Sequence, residues 1–184
     1  MKRIFLAIRV PLNDQILSYV SDYHQQFGFM NIRWVKSEYL HMTLKYFGPT
    51  DDKSIERIKI MLEKVLKSEE SFNINISKLK MFGSKSSPKS LWWGIEEEEK
   101  LKDLVHILQR GFDKLGLFVD RQNFVPHITL GRIIKVNSNS FFQKQLSKFS
   151  ILDPISINVK SLILLESRIS KHGPKYIELA EFKL

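Results

Sequence analysis

The sequence His41-Met42-Thr43-Leu44 recurs further along the chain as His127-Ile128-Thr129-Leu130. Each copy lies in a stretch with the apolar and β-branched residues of a β-strand. Because side chains two positions apart on a strand share a face, each histidine points the same way as the threonine that follows it. We therefore expect the apolar residues to pack beneath helices and the imidazoles and hydroxyls to lie together on the opposite face.

The elements around the two copies repeat as well. Ile4, in the first apolar run of the chain, precedes His41 by 37 positions, and Ser90 precedes His127 by 37 positions. A helical pattern follows each histidine-containing stretch. This repeated spacing indicates an internal duplication.

The predicted fold is α+β, with two pseudo-symmetric lobes of mostly antiparallel sheet, outer helices and a central cleft. We expect a single bilobal domain over residues 1–184, with approximate lobes at residues 1–85 and 86–184. The Ser/Lys/Gly/Pro-rich residues 83–89 are expected to form a loop. Apolar periodicity predicts strands over residues 4–10, 32–35, 41–47, 72–82, 90–95, 125–132, 155–165 and 176–182 and helices over residues 13–27, 51–67, 101–115 and 140–149.

Composition narrows the range of partners and compartments. The 184 residues include 29 lysines and arginines against 20 acidic residues, a formal charge of +9, which favours polyanionic partners, although a basic surface that binds no anion is equally consistent with it. The chain has no cysteine, which excludes disulfides, thiolate nucleophiles and thiolate metal sites. No apolar run approaches the roughly 18 residues of a membrane span. We expect a soluble, cytoplasmic protein without a membrane partner.

Two histidines beside two threonines suit the hydrolysis of a cyclic phosphodiester. The reaction needs a base that takes a proton from water and an acid that protonates the departing ribose oxygen, and the pKa of histidine suits both roles. Hydroxyls and a guanidinium suit the charged phosphate oxygens. The His-x-Thr spacing is poor for metal ligation, and no metal or cofactor is expected.

At these residues the chain resembles the 2H phosphoesterase superfamily, and within it the RNA 2′,3′-cyclic phosphodiesterases, also known as 2′-5′ RNA ligases. The resemblance implies that His41 is the proton donor, His127 is the proton acceptor, and Thr43, Thr129 and Arg132 bind the phosphate. It also implies metal-independent opening of a terminal 2′,3′-cyclic phosphate on RNA, or on a cyclic nucleotide, to a 2′-phosphate. The matching segments are Arg3 to Ile8, Arg33-Trp34-Val35, residues 41–48, Leu91-Trp92-Trp93-Gly94, residues 124–132, Glu166-Ser167, Gly173 and Tyr176.

Arg132 does not fit simple strand alternation. It lies five positions after His127, so regular alternation sends the two side chains to opposite faces. Gly131 can permit a bulge or bend that returns the arginine to the face of the histidine. Its place in the site is therefore implied by the resemblance more than by parity.

Several functional alternatives stay open at this point. The reverse reaction, joining RNA ends through a 2′-5′ linkage, uses the same residues, and a non-catalytic module that binds RNA ends is a rival of another class. No obligate protein partner is evident. His24, His106 and His172 lie in no repeated motif and are left outside the site. Some lysines can contact RNA phosphates, although lysines are more often simply solvated; these are Lys78, Lys80, Lys85 and Lys89.

Some aromatic residues can stack a base, although such residues more often pack in the core; these are Trp34, Trp92, Trp93 and Phe124.

Overall fold

The computed structural model describes residues 1–96, 98–117, 124–149, 155–171 and 173–184, and His172 lies outside them. Strands and helices alternate over most of the chain, and the predicted α+β class is confirmed. Within the described residues no helix combines the length and apolar character that a membrane crossing requires. The strands are β1 (Lys2–Arg9), β2 (Asn31–Trp34), β3 (His41–Thr50), β4 (Phe72–Ser84), β5 (Ser87–Ile95), β6 (His127–Lys135), β7 (Ile155–Val159), β8 (Ser161–Ser170) and β9 (Gly173–Lys183). The helices are α1 (Asp14–Gln26), α2 (Asp52–Leu66), α3 (Glu99–Lys114) and α4 (Asn139–Lys148), with a 3-10 turn at Ser37–Tyr39.

The described strands form one antiparallel sheet whose order is β7-β4-β5-β6-β3-β1-β8-β9, with β2 paired to β6. The two motif-bearing strands, β3 and β6, are neighbours near its middle, where Met42 pairs with Ile128. The expected lobes at residues 1–85 and 86–184 stay a prediction, since one continuous sheet joins both halves of the chain. β4 lies beside β5, while β8 and β9 lie on the side of β1.

The connection between β7 and β8 shows that this sheet is curled. β7 ends at Val159 and β8 begins at Ser161, yet the two strands stand at the first and seventh places of the strand order. Two residues span at most about 7 Å, so the end of β7 must lie close to the start of β8. The prediction of one strand over residues 155–165 was wrong. The extended run changes its hydrogen-bonding partners at Lys160, and apolar periodicity does not report such a change.

The prediction of a loop over residues 83–89 was also wrong. β4 and β5 continue into this segment as a hairpin in which Ser84 pairs with Ser87. The hydroxyl of Ser84 accepts a hydrogen bond from the backbone N–H of Ser87 at 3.0 Å, which closes the turn. Gly83 has a φ of +100°, a conformation that L side chains rarely adopt. Turn-forming residues therefore shape a tight strand reversal here.

The helices all pack on one face of the sheet. Each contributes buried residues to the main core, among them Ile16, Ile58, Leu104 and Phe142 from the four helices. Met42 and Ile128 point into this core and have no solvent exposure. The N-terminus of α2 is fixed by Asp51, whose carboxylate accepts a hydrogen bond from the Ser54 N–H at 2.9 Å.

The opposite face of the sheet, which we term the open face, bears His41, Thr43, His127 and Thr129. Strands β1 and β8 bury side chains on both faces, because Leu6 and Leu164 belong to the main core while Phe5 and Ile163 belong to a separate apolar cluster. That second cluster lies on the open face, since the ring of Phe5 contacts His41. The apolar run predicted to form the first strand therefore supports the site as well as the core.

Candidate active site

The four predicted histidine and threonine side chains lie together on the open face. In the antiparallel register set by the Met42–Ile128 pair, His41 is opposite Thr129 and Thr43 is opposite His127. All four are partly exposed, whereas the residues between them on each strand are buried. The parity expected from the sequence is confirmed.

Each imidazole is held by a hydrogen bond to the backbone carbonyl two residues before it. His41 Nδ1 lies 2.7 Å from the carbonyl oxygen of Tyr39, and His127 Nδ1 lies 2.8 Å from the carbonyl oxygen of Val125. A carbonyl oxygen only accepts, so Nδ1 carries the hydrogen and donates in each case. Nε2 is thereby left to take up or release a proton in both rings.

The ring of His41 packs between two aromatic side chains, Phe5 and Tyr176. Its ring centroid is 5.0 Å from that of Phe5 and 5.3 Å from that of Tyr176. Burial lowers the pKa of His41, the hydrogen bond to the Tyr39 carbonyl raises it, and the positive charge of His127 lowers it further, with a net shift downward. A pocket of about 130 Å³ opens beside this histidine and is lined on one side by Tyr39 and Tyr176.

His127 contacts a different aromatic pair. Its ring centroid lies 5.0 Å from that of Phe82 and 5.7 Å from that of Trp92. Those two rings stack on each other at 4.5 Å with an interplanar angle of 17°. Its hydrogen bond to Val125 is exposed, while that of His41 is partly buried. His127 is therefore the imidazole more open to solvent water.

A β-bulge follows each His-x-Thr sequence. On β3, Thr43 pairs with Ala7 and Lys45 with Leu6, which leaves Leu44 as the extra residue. β6 has the same arrangement against β5, and there the extra residue is Leu130. A bulge of this kind shifts the alternation of side chains by one position.

The bulge at Leu130 brings Arg132 back to the open face. Arg132 is exposed, while the next residue on β6, Ile133, is buried, the reverse of what unbroken alternation from His127 gives. Burial raises the pKa of Tyr176, and the charge of Arg132 lowers it, so the guanidinium lies within electrostatic range of that phenol. The irregularity that the sequence analysis anticipated next to Gly131 is present.

Gly131 is required by packing. A Cβ atom at this position would lie 2.7 Å from Ile32 Cγ2 and 3.0 Å from Trp34 Cε3. The missing side chain lets β2 lie close against β6, where Arg33 pairs with Arg132. This glycine therefore holds the bulged strand in place beside the site.

Sequence reasoning missed several residues of the open face. Tyr46 occupies the position after the first bulge that Arg132 occupies after the second, and its hydroxyl accepts a hydrogen bond from Arg3 Nε at 3.0 Å. Phe82 lay next to the expected loop and was not considered, while Trp92 is buried as expected yet contacts His127. The five-residue spacing of His41 to Tyr46, which equals that of the second copy, was the available signal.

No cluster of three or more potential metal ligands occurs in the described ranges. Arg132 and the two threonine hydroxyls instead offer hydrogen-bond donors to an anion. That the chemistry needs no metal stays a prediction.

Comparison with known proteins gives consistent matches over most of the chain. The model of the 2′-5′ RNA ligase superfamily matches residues 31–169. An RNA 2′,3′-cyclic phosphodiesterase of Methanothermobacter thermautotrophicus is 28% identical over 184 residues, covering 99% of this chain and 98% of the relative. One from Aquifex aeolicus is 32% identical over 155 residues, covering 83% of this chain and 81% of the relative.

Solved structures share the fold. A protein of Thermus thermophilus superposes with a TM-score of 0.79 at 20% identity, covering 99% of this chain and 97% of its own. Escherichia coli LigT complexed with 3′-AMP superposes with a TM-score of 0.76 at 20% identity, covering 100% of this chain and 98% of its own. The curled antiparallel sheet with four helices is thus an arrangement that known structures share.

Proposed function

Because the chain belongs to the 2′-5′ RNA ligase superfamily, we propose that it opens RNA 2′,3′-cyclic phosphate ends by acid–base catalysis at His41 and His127. It is an enzyme of the RNA 2′,3′-cyclic phosphodiesterase class, a phosphoric diester hydrolase. The observation that carries the mechanism is the matched pair of Nδ1–carbonyl hydrogen bonds, at 2.7 and 2.8 Å, which leaves both Nε2 atoms free.

The proposed proton transfers use these two Nε2 atoms, with the roles that the family resemblance implies. His127 Nε2 takes a proton from water as the water oxygen bonds to phosphorus. The bond between phosphorus and the ribose 3′-oxygen breaks, and His41 Nε2 gives its proton to the departing oxygen. The products are a 2′-phosphate and a 3′-hydroxyl, and proton exchange with solvent restores both imidazoles.

Three side chains are suited to bind the phosphate. The hydroxyls of Thr43 and Thr129 lie on the face of the histidines and donate to the non-bridging oxygens. Arg132, returned to that face by the bulge, neutralises the anion. Donors preorganised in this way stabilise the charge that develops in the transition state.

The surroundings of the two histidines favour the assignment of their roles. His127 is the more open to solvent, which gives the attacking water access to a base. His41, beside Phe5 and Tyr176, lies where a leaving oxygen is protonated away from bulk water. Its lowered pKa disfavours the imidazolium in the free enzyme, and a bound phosphate anion raises that pKa in the complex.

The proposed substrate class rests on the family, and the net charge of +9 is compatible with a polyanionic substrate. The family acts on RNA, and the proposed substrates are RNA ends with a 2′,3′-cyclic phosphate and the corresponding cyclic nucleotides. No obligate protein partner is proposed, and the proposed compartment is the cytoplasm. The reverse reaction, 2′-5′ ligation, is a second candidate because the superfamily that matches residues 31–169 is named for it.

Product analysis of a short RNA that ends in a 2′,3′-cyclic phosphate tests the proposal. Wild-type protein should give the 2′-phosphate, and both His41→Ala and His127→Ala should abolish turnover, while His106→Ala, on the exposed side of α3, should not. Adding an RNA with a 5′-hydroxyl tests ligation in the same assay. A 3′-phosphate product, full activity of either site variant, or binding without turnover would contradict the proposal.

A further inference from the structure

We propose that Phe82, supported by Trp92, is the surface on which the base of the terminal nucleotide stacks when its cyclic phosphate lies at His127. This inference rests on the proposed function, since it takes the substrate to be a nucleotide. It adds a base-binding residue to a site whose predicted members all contact the phosphate or the transferred protons.

The two rings form a layered pair with one side left open. Their centroids are 4.5 Å apart at 17°, so a face of Phe82 is covered by the indole. Trp92 is 6% exposed, whereas Phe82 is 36% exposed. A flat aromatic surface that is supported from below and open above is the form that base stacking uses.

The pair lies on the open face, beside the catalytic groups. Trp92 is opposite Thr129 in the pairing of β5 with β6, so the two side chains share a face. Phe82 is two positions beyond Lys80 on β4, and Lys80 is opposite Trp92. The ring of Phe82 also meets that of His127 edge-on at 5.0 Å, which places the stacking surface within one nucleotide of the phosphate.

The electrostatics of this surface suit a nucleotide. Lys80 Nζ lies 5.3 Å from the centroid of the Trp92 ring, and no salt bridge to it occurs within the described residues. The ammonium group of Lys80 therefore lies beside the stacking surface, where it can bind the phosphate on the 5′ side of the terminal nucleotide. Stacking tolerates any base because each has a π-face, which fits an enzyme that acts on RNA ends of varied sequence.

Two other aromatic residues of the open face, Phe5 and Tyr46, do not offer the same surface. Phe5 is 4% exposed and belongs to the apolar cluster on β1 and β8. Tyr46 is 49% exposed, but its hydroxyl accepts a hydrogen bond from Arg3 and the guanidinium carbon lies 5.9 Å from its ring centroid. Tyr46 is therefore the rival stacking surface that the experiment has to separate from Phe82.

Steady-state kinetics with and without the base test the proposal. The substrates are adenosine 2′,3′-cyclic phosphate and the matching ribose 2′,3′-cyclic phosphate that carries no base. Phe82→Leu should raise KM for the adenosine substrate by about 5- to 150-fold, the range that loss of one stacked base implies. Its kcat should stay close to wild type, and its KM for the base-free substrate should not change. Phe82→Tyr keeps the ring and should restore the low KM.

The matched control is Phe141→Leu, because Phe141 on α4 also forms an exposed aromatic pair, with Phe29 at 4.6 Å. This variant should behave as wild type on both substrates. An equal rise in KM for both substrates in Phe82→Leu would show a packing effect on His127 and overturn the proposal. A base-selective loss in Tyr46→Leu, with none in Phe82→Leu, would assign stacking to Tyr46 instead.

Calorimetric binding of adenosine 2′-monophosphate and ribose 2-phosphate separates this inference from the proposed function. If wild-type protein turns over neither cyclic substrate, the proposed function fails, yet the base-dependent part of the affinity remains measurable. Stacking then predicts that Phe82→Leu removes the advantage of the adenosine ligand over the ribose ligand. An unchanged advantage would overturn the stacking proposal on its own.

Discussion

Leu44 and Leu130 are structural equivalents, since each is the extra residue of a β-bulge that directly follows a His-x-Thr sequence. Each bulge reverses the alternation of its strand and turns the side chain five positions after the histidine back to the open face. On β3 that side chain is Tyr46, and on β6 it is Arg132. The two motif copies thus repeat in backbone geometry as well as in sequence, while the residue delivered by each bulge differs.

The division of labour between the histidines can be tested with a substrate whose 3′-oxygen is replaced by sulfur. Sulfur leaves readily without a proton, so His41→Ala should recover much of its lost rate on this substrate. His127→Ala should stay slow, because water still needs a base. Rates of both variants on the oxygen and sulfur substrates provide the measurement. Rescue of His127→Ala in place of His41→Ala would reverse the assignment.

The threonine hydroxyls are expected to contribute to turnover and not to folding. Thr43→Val and Thr129→Val keep the β-branched shape and remove one donor each. Loss of one such donor costs about 2.7–4 kcal/mol in comparable oxyanion sites, so kcat should fall by about 10²- to 10³-fold. The melting temperature, recorded alongside kcat, should stay near that of wild type. Unchanged kcat in either variant would remove that hydroxyl from the mechanism.

The lowered pKa of His41 is expected to determine the alkaline side of the pH profile. As the proposed proton donor, His41 has to be protonated to act, and its protonated fraction in the free enzyme falls at a lower pH than for an ordinary histidine, whose pKa is about 6.5. The kcat/KM profile, which reports the free enzyme, should therefore decline at a lower pH than the kcat profile, because bound phosphate favours the imidazolium. Coincident alkaline limbs would contradict this expectation.

Removing the charge of Arg132 should have two separate effects. In the wild-type protein burial raises the pKa of Tyr176 and the charge of Arg132 lowers it. Arg132→Gln removes the lowering effect, so the pKa of Tyr176 should rise. The substitution should also raise KM for the anionic substrate. Tyrosine ring carbon chemical shifts followed by NMR over a pH series give the first quantity. Lys135→Gln, at the exposed end of β6, is the control that removes an equal charge and should leave the pKa of Tyr176 unchanged.

The reaction is expected to proceed without a divalent metal. In the proposed mechanism His41 and His127 supply both proton transfers, and Arg132 supplies the positive charge that a metal provides in other phosphoesterases. Turnover of a cyclic nucleotide in excess chelator should match turnover in untreated protein. Loss of activity in chelator that returns on adding a divalent ion would show that this expectation is wrong.

The sequence by itself determined most of the local structure and predicted the chemistry. The period-two pattern in His41-Met42-Thr43-Leu44 predicted which side chains are buried, because alternation along a strand depends only on backbone geometry. Helical periodicity predicted the four helices of the described residues for the same reason, since an apolar stripe depends only on the spacing of consecutive residues. The identity of the imidazoles and hydroxyls led to the prediction of proton transfer beside an anion, because these groups exchange protons and donate hydrogen bonds near neutral pH.

The tertiary structure alone decided which strands meet. The pairing of β3 with β6, the change of partner at Lys160, and the bulges at Leu44 and Leu130 depend on hydrogen bonds between residues far apart in the chain. Local periodicity reports which face of a strand is buried, but it does not report against which neighbour, or at which residue the register slips. For that reason only the folded sheet shows how Arg132, which the family resemblance had assigned to the site, returns to the open face, and only the folded sheet shows that the ring of Phe82 contacts His127.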